Sequence, residues 1–310
     1  MGQKNPRHFI TLMDYTSKEL EQMIDLADDM KKNPDEYRKA LQGQTLGMIF
    51  AKNSTRTRIS FETGIFQLGG MGLFLSGNDL QLSRGETIHD TAKVLSRYLN
   101  GIMIRTFKHS DVEELAQHSS VPVINGLTDY NHPCQAMADI MTIREKFGKN
   151  VKGMKYVYVG DGNNVTFSSA SIAAKFGMDF YSVTPKAFAL GKDEQEKLTK
   201  LAKECGTKMV FTDNIEEGVR GAHVIYTDTW ISMGQDAEKE KKLNGLKGFE
   251  VSNKMMAMAD KKAIFMHCLP AHRGEEVLEE VIDGPQSVIF DEAENRLHAQ
   301  KAVMYTLMKK

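Results

Sequence analysis

Short apolar runs alternate with amphipathic segments along the chain. The segment 20–27 carries apolar residues at the i, i+3, i+4 and i+7 spacing of a helix face, and Thr16 with Glu19 before it fits a capping box. The runs between the helical segments are short and continuously apolar, as in buried β-strands. Further helices are predicted near 55–68, 87–99, 110–118 and 133–146.

The predicted strands fall into two groups. The first comprises 46–51, 70–75, 102–104 and 121–124, and the second comprises 156–159, 180–183, 209–211, 224–226 and 263–266. Buried strands that alternate with helices are typical of a parallel sheet covered on both faces. The pattern therefore predicts an α/β protein in which each of two domains is a parallel sheet flanked by helices.

A polar segment with glycines, 148–153, separates the two groups of strands. A chain of 310 residues is long enough for two domains of roughly 150 residues, each with its own core. We predict domains at 1–150 and 151–290. The last helix, from about residue 293 to 308, could belong to either domain. We expect the segment 291–310 to pack back on the first domain, so that the terminal helices bridge the two.

Composition and charge exclude several classes of protein. The 40 Lys and Arg residues nearly balance the 41 Asp and Glu residues, which argues against a generally basic nucleic-acid binder. Three dispersed cysteines cannot form a disulfide framework and favour a reducing compartment. No apolar stretch approaches the ~18 residues of a membrane span, and the start of the chain lacks the apolar core of a signal peptide. We expect a cytoplasmic protein without nucleic-acid or membrane partners.

The segment 54–58, Ser-Thr-Arg-Thr-Arg, directly follows a predicted strand and opens a helix. Free backbone N–H groups at a helix start attract anions, and arginine forms forked bonds to phosphate oxygens. An ordinary helix cap with solvent-facing arginines is the alternative, but two arginines beside the hydroxyls favour a phosphate site. The glycines and the lysine of a P-loop are missing.

A second polar cluster, His132-Pro133-Cys134-Gln135, stands where a strand gives way to a helix. Ligands bind at the carboxyl ends of strands in open α/β sheets. His132 could donate to a carbonyl oxygen and Gln135 could hold an amide-like group. A helix cap explains His132 equally well from position alone.

In the second half, the segment 160–165, Gly-Asp-Gly-Asn-Asn-Val, resembles the start of a dinucleotide-binding fingerprint. Val165 replaces the third glycine, and the next strand does not end in the acidic residue that would hold a ribose. A nicotinamide-dependent oxidoreductase is therefore a weak alternative. A tight turn that presents Asn164 to a polar ligand fits better.

The loop 228–234, Asp-Thr-Trp-Ile-Ser-Met-Gly, contains the only tryptophan of the chain and runs into a highly charged stretch, 235–242. Asp228 and Ser232 could bind an ammonium group. A surface loop anchored by a buried tryptophan is the structural alternative.

The strand at 263–266 ends in His267-Cys268-Leu269-Pro270. Adjacent residues of a strand face opposite ways, so His267 and Cys268 are not expected to act as a base and its nucleophile. A zinc site that combines this pair with His132 and Cys134 lacks any recognisable ligand spacing. Arg296 follows acidic residues that suit the start of the last helix, and it could be directed toward the ligand site.

Taken in order, the segments 54–58, 132–135 and 267–270 resemble the motifs of the aspartate/ornithine carbamoyltransferase family. Within it, the loop 228–234 resembles the ornithine-binding loop, and the cysteine of His-Cys-Leu-Pro also points to the ornithine-specific members. Aspartate-specific members carry neither feature, and putrescine-specific members lack the Ser-Met-Gly loop. One departure from the family pattern is Thr166-Phe167, where many ornithine-specific members have a small residue and a histidine.

The resemblance implies a role for each motif. The domain 1–150 would bind carbamoyl phosphate and the domain 151–290 would bind ornithine, with no metal and no cofactor. A cis Leu269–Pro270 bond is implied as well. The carbamoyl phosphate ligands would be Ser54, Thr55, Arg56, Thr57, Gln81, Arg105, His132, Gln135, Cys268, Leu269 and Arg296. The ornithine ligands would be Asn164, Asp228, Ser232 and Met233, and the catalytic residues Arg56, Arg105, His132, Cys268 and Arg296.

The implied reaction is transfer of the carbamoyl group of carbamoyl phosphate to the side-chain amine of L-ornithine, which gives L-citrulline and phosphate in arginine metabolism. The direction, anabolic or catabolic, stays open. The family also implies a homotrimer or a higher assembly of trimers, in which Gln81 reaches a neighbouring site. The alternatives are a carbamoyltransferase for another amine such as putrescine and a non-catalytic sensor of the same ligands.

Overall fold

The computed structural model describes residues 6–81, 85–231 and 239–309. The chain divides into a first unit, Met1–Met141 with Glu294–Lys310, and a second unit, Thr142–Ala293. The helices α5, Pro133–Phe147, and α12, Ile289–Met308, therefore each begin in one unit and end in the other. The domain bounds predicted at 150 and 290 stay predictions.

In its described residues, the first unit contains a parallel sheet of order β2-β1-β3-β4. Its strands are β1 Thr45–Phe50, β2 Met71–Ser76, β3 Gly101–Arg105 and β4 Val123–Leu127. Its other helices are α1 Ser17–Lys32, α2 Arg56–Gln67, α3 Ile88–Tyr98 and α4 His109–His118. The capping box predicted from Thr16 and Glu19 is confirmed at the start of α1.

In its described residues, the second unit contains a parallel sheet of order β7-β6-β5-β8-β9. Its strands are β5 Lys155–Val159, β6 Asp179–Val183, β7 Met209–Thr212, β8 Val224–Thr227 and β9 Ile264–His267. Its other helices are α6 Asn164–Lys175, α7 Lys192–Cys205, α8 Ile215–Val219, α9 Lys239–Gly245, α10 Asn253–Met256 and α11 Glu279–Ile282. The α/β fold with parallel sheets is confirmed.

Both sheets reverse their strand order, between β1 and β3 in the first and between β5 and β8 in the second. Such switch points open a crevice at the carboxyl ends of the strands. The sequence predicts ligand-binding residues at the carboxyl ends of the switch-point strands β1, β3, β5 and β8, and further ones after β2, β4 and β9.

The prediction of a buried strand at 70–75 is wrong in one respect. β2 pairs only with β1 in the described sheet, and Met71 is 54% exposed. Leu73 and Phe74 are also exposed on this edge strand. An apolar run alone does not distinguish an edge strand from a central one.

The described end of the charged stretch 235–242 forms the start of α9. Lys242 is buried there and pairs with Asp161. The helix is therefore stabilised by a tertiary contact that the polar sequence does not reveal. Among the described residues, no helix combines the length and hydropathy of a membrane span.

Candidate functional site

The segment after β1 forms a cap that leads directly into α2. Ser54 Oγ accepts a hydrogen bond of 3.2 Å from the backbone N–H of Thr57. Ser54 and Arg56 are half-buried, Thr55 is exposed, and Thr57 is buried. Hydroxyls, a guanidinium and helix N–H groups thus lie together at one helix start, where anions are stabilised.

Two buried arginines converge on the hydroxyl of Thr57. Arg105, the last residue of β3, donates from Nη1 to Thr57 Oγ1 at 3.4 Å. Arg296, on α12, donates from Nη2 to the same oxygen at 3.3 Å. Buried cations attract an anion more strongly than exposed ones because water screens them less.

Arg296 is held by further hydrogen bonds along its whole guanidinium. Nη1 donates to Gln135 Oε1 at 2.6 Å, and Nε donates to Gln300 Oε1 at 2.9 Å. Gln300 in turn donates to Ser60 Oγ at 2.8 Å, and Gln135 donates to Asp139 Oδ1 at 2.8 Å. The planar fork of arginine, with its fixed donors, suits this framework.

His132 lies buried beside the same arginines. Burial, together with the positive charges of Arg296, Arg105 and Arg56, lowers the pKa of His132 well below its usual value. The imidazole is therefore neutral at pH 7 and carries one N–H donor and one acceptor nitrogen. A neutral donor of this kind suits a carbonyl oxygen.

Cys134 has a packing role. Burial raises the pKa of its thiol to about 12, and the thiol donates to the backbone oxygen of Asn125 at 3.3 Å. A thiol held in this form is a poor nucleophile and a poor metal ligand.

Gln81 lies between β2 and α3 with an exposed side chain. Its backbone oxygen accepts a hydrogen bond of 3.1 Å from Glu86 N–H. The structure does not bring its side chain into the hydrogen-bond framework of Arg296 in the described residues.

In the second unit, Asn163 is the N-cap of α6 and shares a capping box with Thr166. Its Oδ1 accepts from the backbone N–H groups of Val165 and Thr166 at 2.9 and 3.1 Å. Its Nδ2 donates to Asp228 Oδ2 at 3.0 Å. The sequence analysis predicts a ligand role for Asn164, the first residue of α6, and none for Asn163, although Asn is among the residues preferred at a helix N-cap.

Asp228, directly after β8, is buried and receives donors on both carboxylate oxygens. Besides Asn163, the backbone N–H of Thr229 donates to Oδ1 at 2.8 Å, and Cys268 Sγ donates to Oδ1 at 3.0 Å. The structure thus brings together the predicted residues Asp228 and Cys268. Ser232 and Met233, also predicted, lie outside the described residues.

His267, the last residue of β9, makes its side-chain hydrogen bonds to Leu269 and Glu276, whereas Cys268 bonds Asp228. His267 Nδ1 accepts from the N–H of Leu269 at 2.9 Å, and its Nε2 lies 3.1 Å from Glu276 Oε1. Because Nδ1 accepts, the proton is assigned to Nε2, which donates to Glu276. Burial by itself raises the pKa of Glu276, but the hydrogen bonds from His267 and from the N–H of His272 bring it below its usual value.

The predicted cis bond between Leu269 and Pro270 is confirmed. Leu269 has a φ of 57°, which is unusual for a residue other than glycine. The hydrogen bond from its N–H to His267 holds the turn that carries Cys268 and Leu269.

Two groups of side chains in the described residues have the ligand types of a metal site. Ligand atoms of Asp228, His267 and Cys268 lie within 4.8 Å of one another. So do those of a second group, His272, Glu275 and Glu276. The hydrogen bonds of Cys268 to Asp228 and of His267 to Glu276 account for the first group without an ion.

Comparisons with known proteins cover nearly the whole chain. Residues 7–145 match the family model described as the carbamoyl-P binding domain of aspartate/ornithine carbamoyltransferase. Residues 152–307 match the model of its Asp/Orn binding domain.

Individual relatives agree with these models. The ornithine carbamoyltransferase of Oceanobacillus iheyensis is 55% identical over 97% of this chain and 94% of its own. The structure of ornithine carbamoyltransferase from Pyrococcus furiosus superposes with a TM-score of 0.94 at 47% identity, covering 99% of both chains. The anabolic ornithine carbamoyltransferase of Campylobacter jejuni has a TM-score of 0.92 at 42% identity, covering 97% of this chain and 98% of that one.

Proposed function

The chain belongs to the aspartate/ornithine carbamoyltransferase family, and we propose that it transfers the carbamoyl group of carbamoyl phosphate to L-ornithine. The products are L-citrulline and phosphate. The observation that carries this proposal is the pair of buried guanidiniums, Arg105 and Arg296, that meet at Thr57 beside a helix start.

The first unit binds carbamoyl phosphate in this proposal. Its phosphate accepts from the hydroxyls and N–H groups of 54–57 and from Arg56 and Arg105. The carbamoyl group is held by Thr57, His132 and Gln135. The hydrogen bond from Arg296 to Gln135 supports this assignment, because it aligns the amide with the cationic cluster. The proposed set of carbamoyl phosphate ligands is completed by Gln81, Cys268, Leu269 and Arg296.

The second unit binds ornithine in this proposal. Asp228 accepts from the α-ammonium group and Asn164 donates to the α-carboxylate, with Ser232 and the Met233 N–H as further ligands. The support is electrostatic. Asp228 is a buried carboxylate fixed by neutral donors, and a buried negative charge is stabilised further by a cation.

The reaction forms a bond between ornithine Nδ and the carbamoyl carbon and breaks the bond from that carbon to the phosphate oxygen. An amine with a pKa near 10.4 is unprotonated in only about one molecule in a few thousand at pH 7, so the enzyme has to select or create the neutral form. Arg56, Arg105 and Arg296 stabilise the charge that grows on the carbonyl oxygen and on the departing phosphate. A well-placed donor of this kind contributes about 3–4 kcal/mol.

The proposed activity is tested by incubating the purified chain with carbamoyl phosphate and L-ornithine and measuring citrulline and phosphate. Both should appear in equal amounts, because each transfer releases one phosphate. Phosphate release without citrulline would contradict carbamoyl transfer and indicate hydrolysis instead.

We also propose a homotrimer, or a higher assembly of trimers, in the cytoplasm. Exposed apolar side chains on α2 and β2 support self-association, because an apolar surface of this kind is typical of an interaction site. They are Ile59, Phe66, Met71, Leu73 and Phe74. The three free cysteines are compatible with a reducing compartment.

Sharing of sites between subunits gives a separate prediction. Arg56→Ala and Gln81→Ala should each lose most activity, by about 10²–10³-fold per lost donor. A mixture of the two should regain activity after subunit exchange, because some sites then receive both native residues. Citrulline formation by the mixture is compared with each variant alone. Full exchange shown by native mass spectrometry without any recovery would mean that Gln81 does not act across an interface.

A further inference from the structure

Lys242 and Asp161 form an ion pair that water hardly reaches. Lys242 Nζ lies 2.7 Å from Asp161 Oδ2, and their side chains are 7% and 6% exposed. A buried pair is costly to desolvate, and removing one member leaves the other charge unbalanced. The position of Asp161 therefore depends on Lys242.

Asp161 lies in the turn that connects β5 to α6. The turn is held tightly on its other side, because Gly162 N–H donates to Phe188 O at 2.8 Å. A Cβ atom at Gly162 would lie 2.6 Å from that oxygen, so the turn packs too closely against residue 188 to accept a side chain at Gly162. The backbone oxygen of Asp161 accepts from Thr166 Oγ1 at 3.2 Å. Movement of Asp161 would therefore disturb the capping box of α6.

The same capping box positions the carboxylate of Asp228. Thr166 Oγ1 accepts from the N–H of Asn163, and Asn163 Nδ2 donates to Asp228 Oδ2. A continuous set of contacts thus runs from Lys242 through Asp161, Thr166 and Asn163 to Asp228. Asn164, which is also a proposed ornithine ligand, follows Asn163 directly.

We propose that Lys242 is a positioning residue for the amino-acid substrate, acting through Asp161 on the turn that carries Asn163 and Asn164. This inference rests on the proposed function, since it takes Asp228 and Asn164 as ornithine ligands. Lys242 itself contacts Asp161 and has no assigned role in chemistry. Its loss would then weaken ornithine binding and leave carbamoyl phosphate binding unchanged.

The test compares Lys242→Met with Lys242→Arg and with Lys241→Met, a matched control on the same short helix whose side chain is exposed. Methionine keeps most of the apolar stem and removes the charge. The measured quantities are the KM for ornithine, the KM for carbamoyl phosphate, kcat and the melting temperature.

Lys242→Met should raise the KM for ornithine by about ten-fold or more, because small misplacements of a binding group have large effects. The KM for carbamoyl phosphate should stay within about two-fold, since that substrate contacts other elements. Lys242→Arg should restore most of the ornithine affinity because it keeps the cation. Lys241→Met should behave as the wild type.

A lower melting temperature with both KM values unchanged would overturn the proposal and leave Lys242 a purely structural role. An equal rise in both KM values would overturn it too. If Lys242→Met does not fold, the double variant Asp161→Asn/Lys242→Met removes both buried charges and is judged by the same two KM values. Failure of the proposed function is distinguishable, because the wild type would then form no citrulline.

Discussion

Replacing Arg296 with alanine should lower kcat/KM for citrulline formation by about 10²–10³-fold, the usual cost of one lost donor to developing charge. The guanidinium bonds Thr57, Gln135 and Gln300 at once. Its loss removes a cation beside the proposed carbamoyl group and also releases Gln135. Steady-state kinetics with both substrates measures the effect.

Two further variants separate chemistry from stability. Arg296→Lys should recover only part of the activity, since an ammonium group cannot make the forked bonds of a guanidinium. Lys301→Met removes another buried cation of α12, one that donates to Gln67 at 3.1 Å. It should change the melting temperature more than kcat/KM. Near wild-type kcat/KM in a folded Arg296→Ala enzyme would exclude a catalytic role for Arg296.

Asp228→Asn should weaken ornithine binding far more than carbamoyl phosphate binding. A hydrogen bond to a charged group contributes about 1.5–3 kcal/mol, so we expect the KM for ornithine to rise about 10- to 150-fold. An amide at this position cannot balance the α-ammonium charge, and its NH₂ group would oppose a donor from Asn163 or Cys268.

The control for this variant is Asp213→Asn, which removes an exposed carboxylate of the second unit. It should leave the KM for ornithine unchanged. If the KM for ornithine rises similarly in both variants, the cause is a general effect of charge. If Asp228→Asn leaves the KM for ornithine unchanged, Asp228 is not the ammonium ligand.

Much of the fold follows from local patterns. Apolar runs predict the strands of both sheets closely, because strands buried on both faces carry continuous apolar residues. The edge position of β2 is not predictable in this way, since Leu73 and Phe74 look like core residues in the sequence. The helix at 239–245 is not predictable from its polar sequence, because the contact that stabilises it joins Lys242 to Asp161, which is distant along the chain.

The candidate site likewise contains residues that the sequence predicts and residues that it does not. The motifs at 54–58 and 132–135 combine residue types whose chemistry is readable from the sequence. Asn163 and Gln300 are different, because they bond residues that are remote along the chain, Asp228 and Ser60 respectively. Their contacts depend on the order of strands in each sheet and on where α12 lies in the first unit, which a single sequence does not encode in any local signal.

The central claim is that the amine acceptor is ornithine, and a competition measurement tests it most directly. The enzyme is given carbamoyl phosphate with equal concentrations of ornithine and putrescine, and mass spectrometry quantifies the two carbamoylated products. Both amines present the same attacking group, but putrescine leaves the partners of the α-ammonium and the α-carboxylate unpaired, a mismatch that can reject an analogue by about 10⁴-fold. We expect citrulline in overwhelming excess. Comparable amounts of citrulline and carbamoylputrescine would contradict the assignment of ornithine.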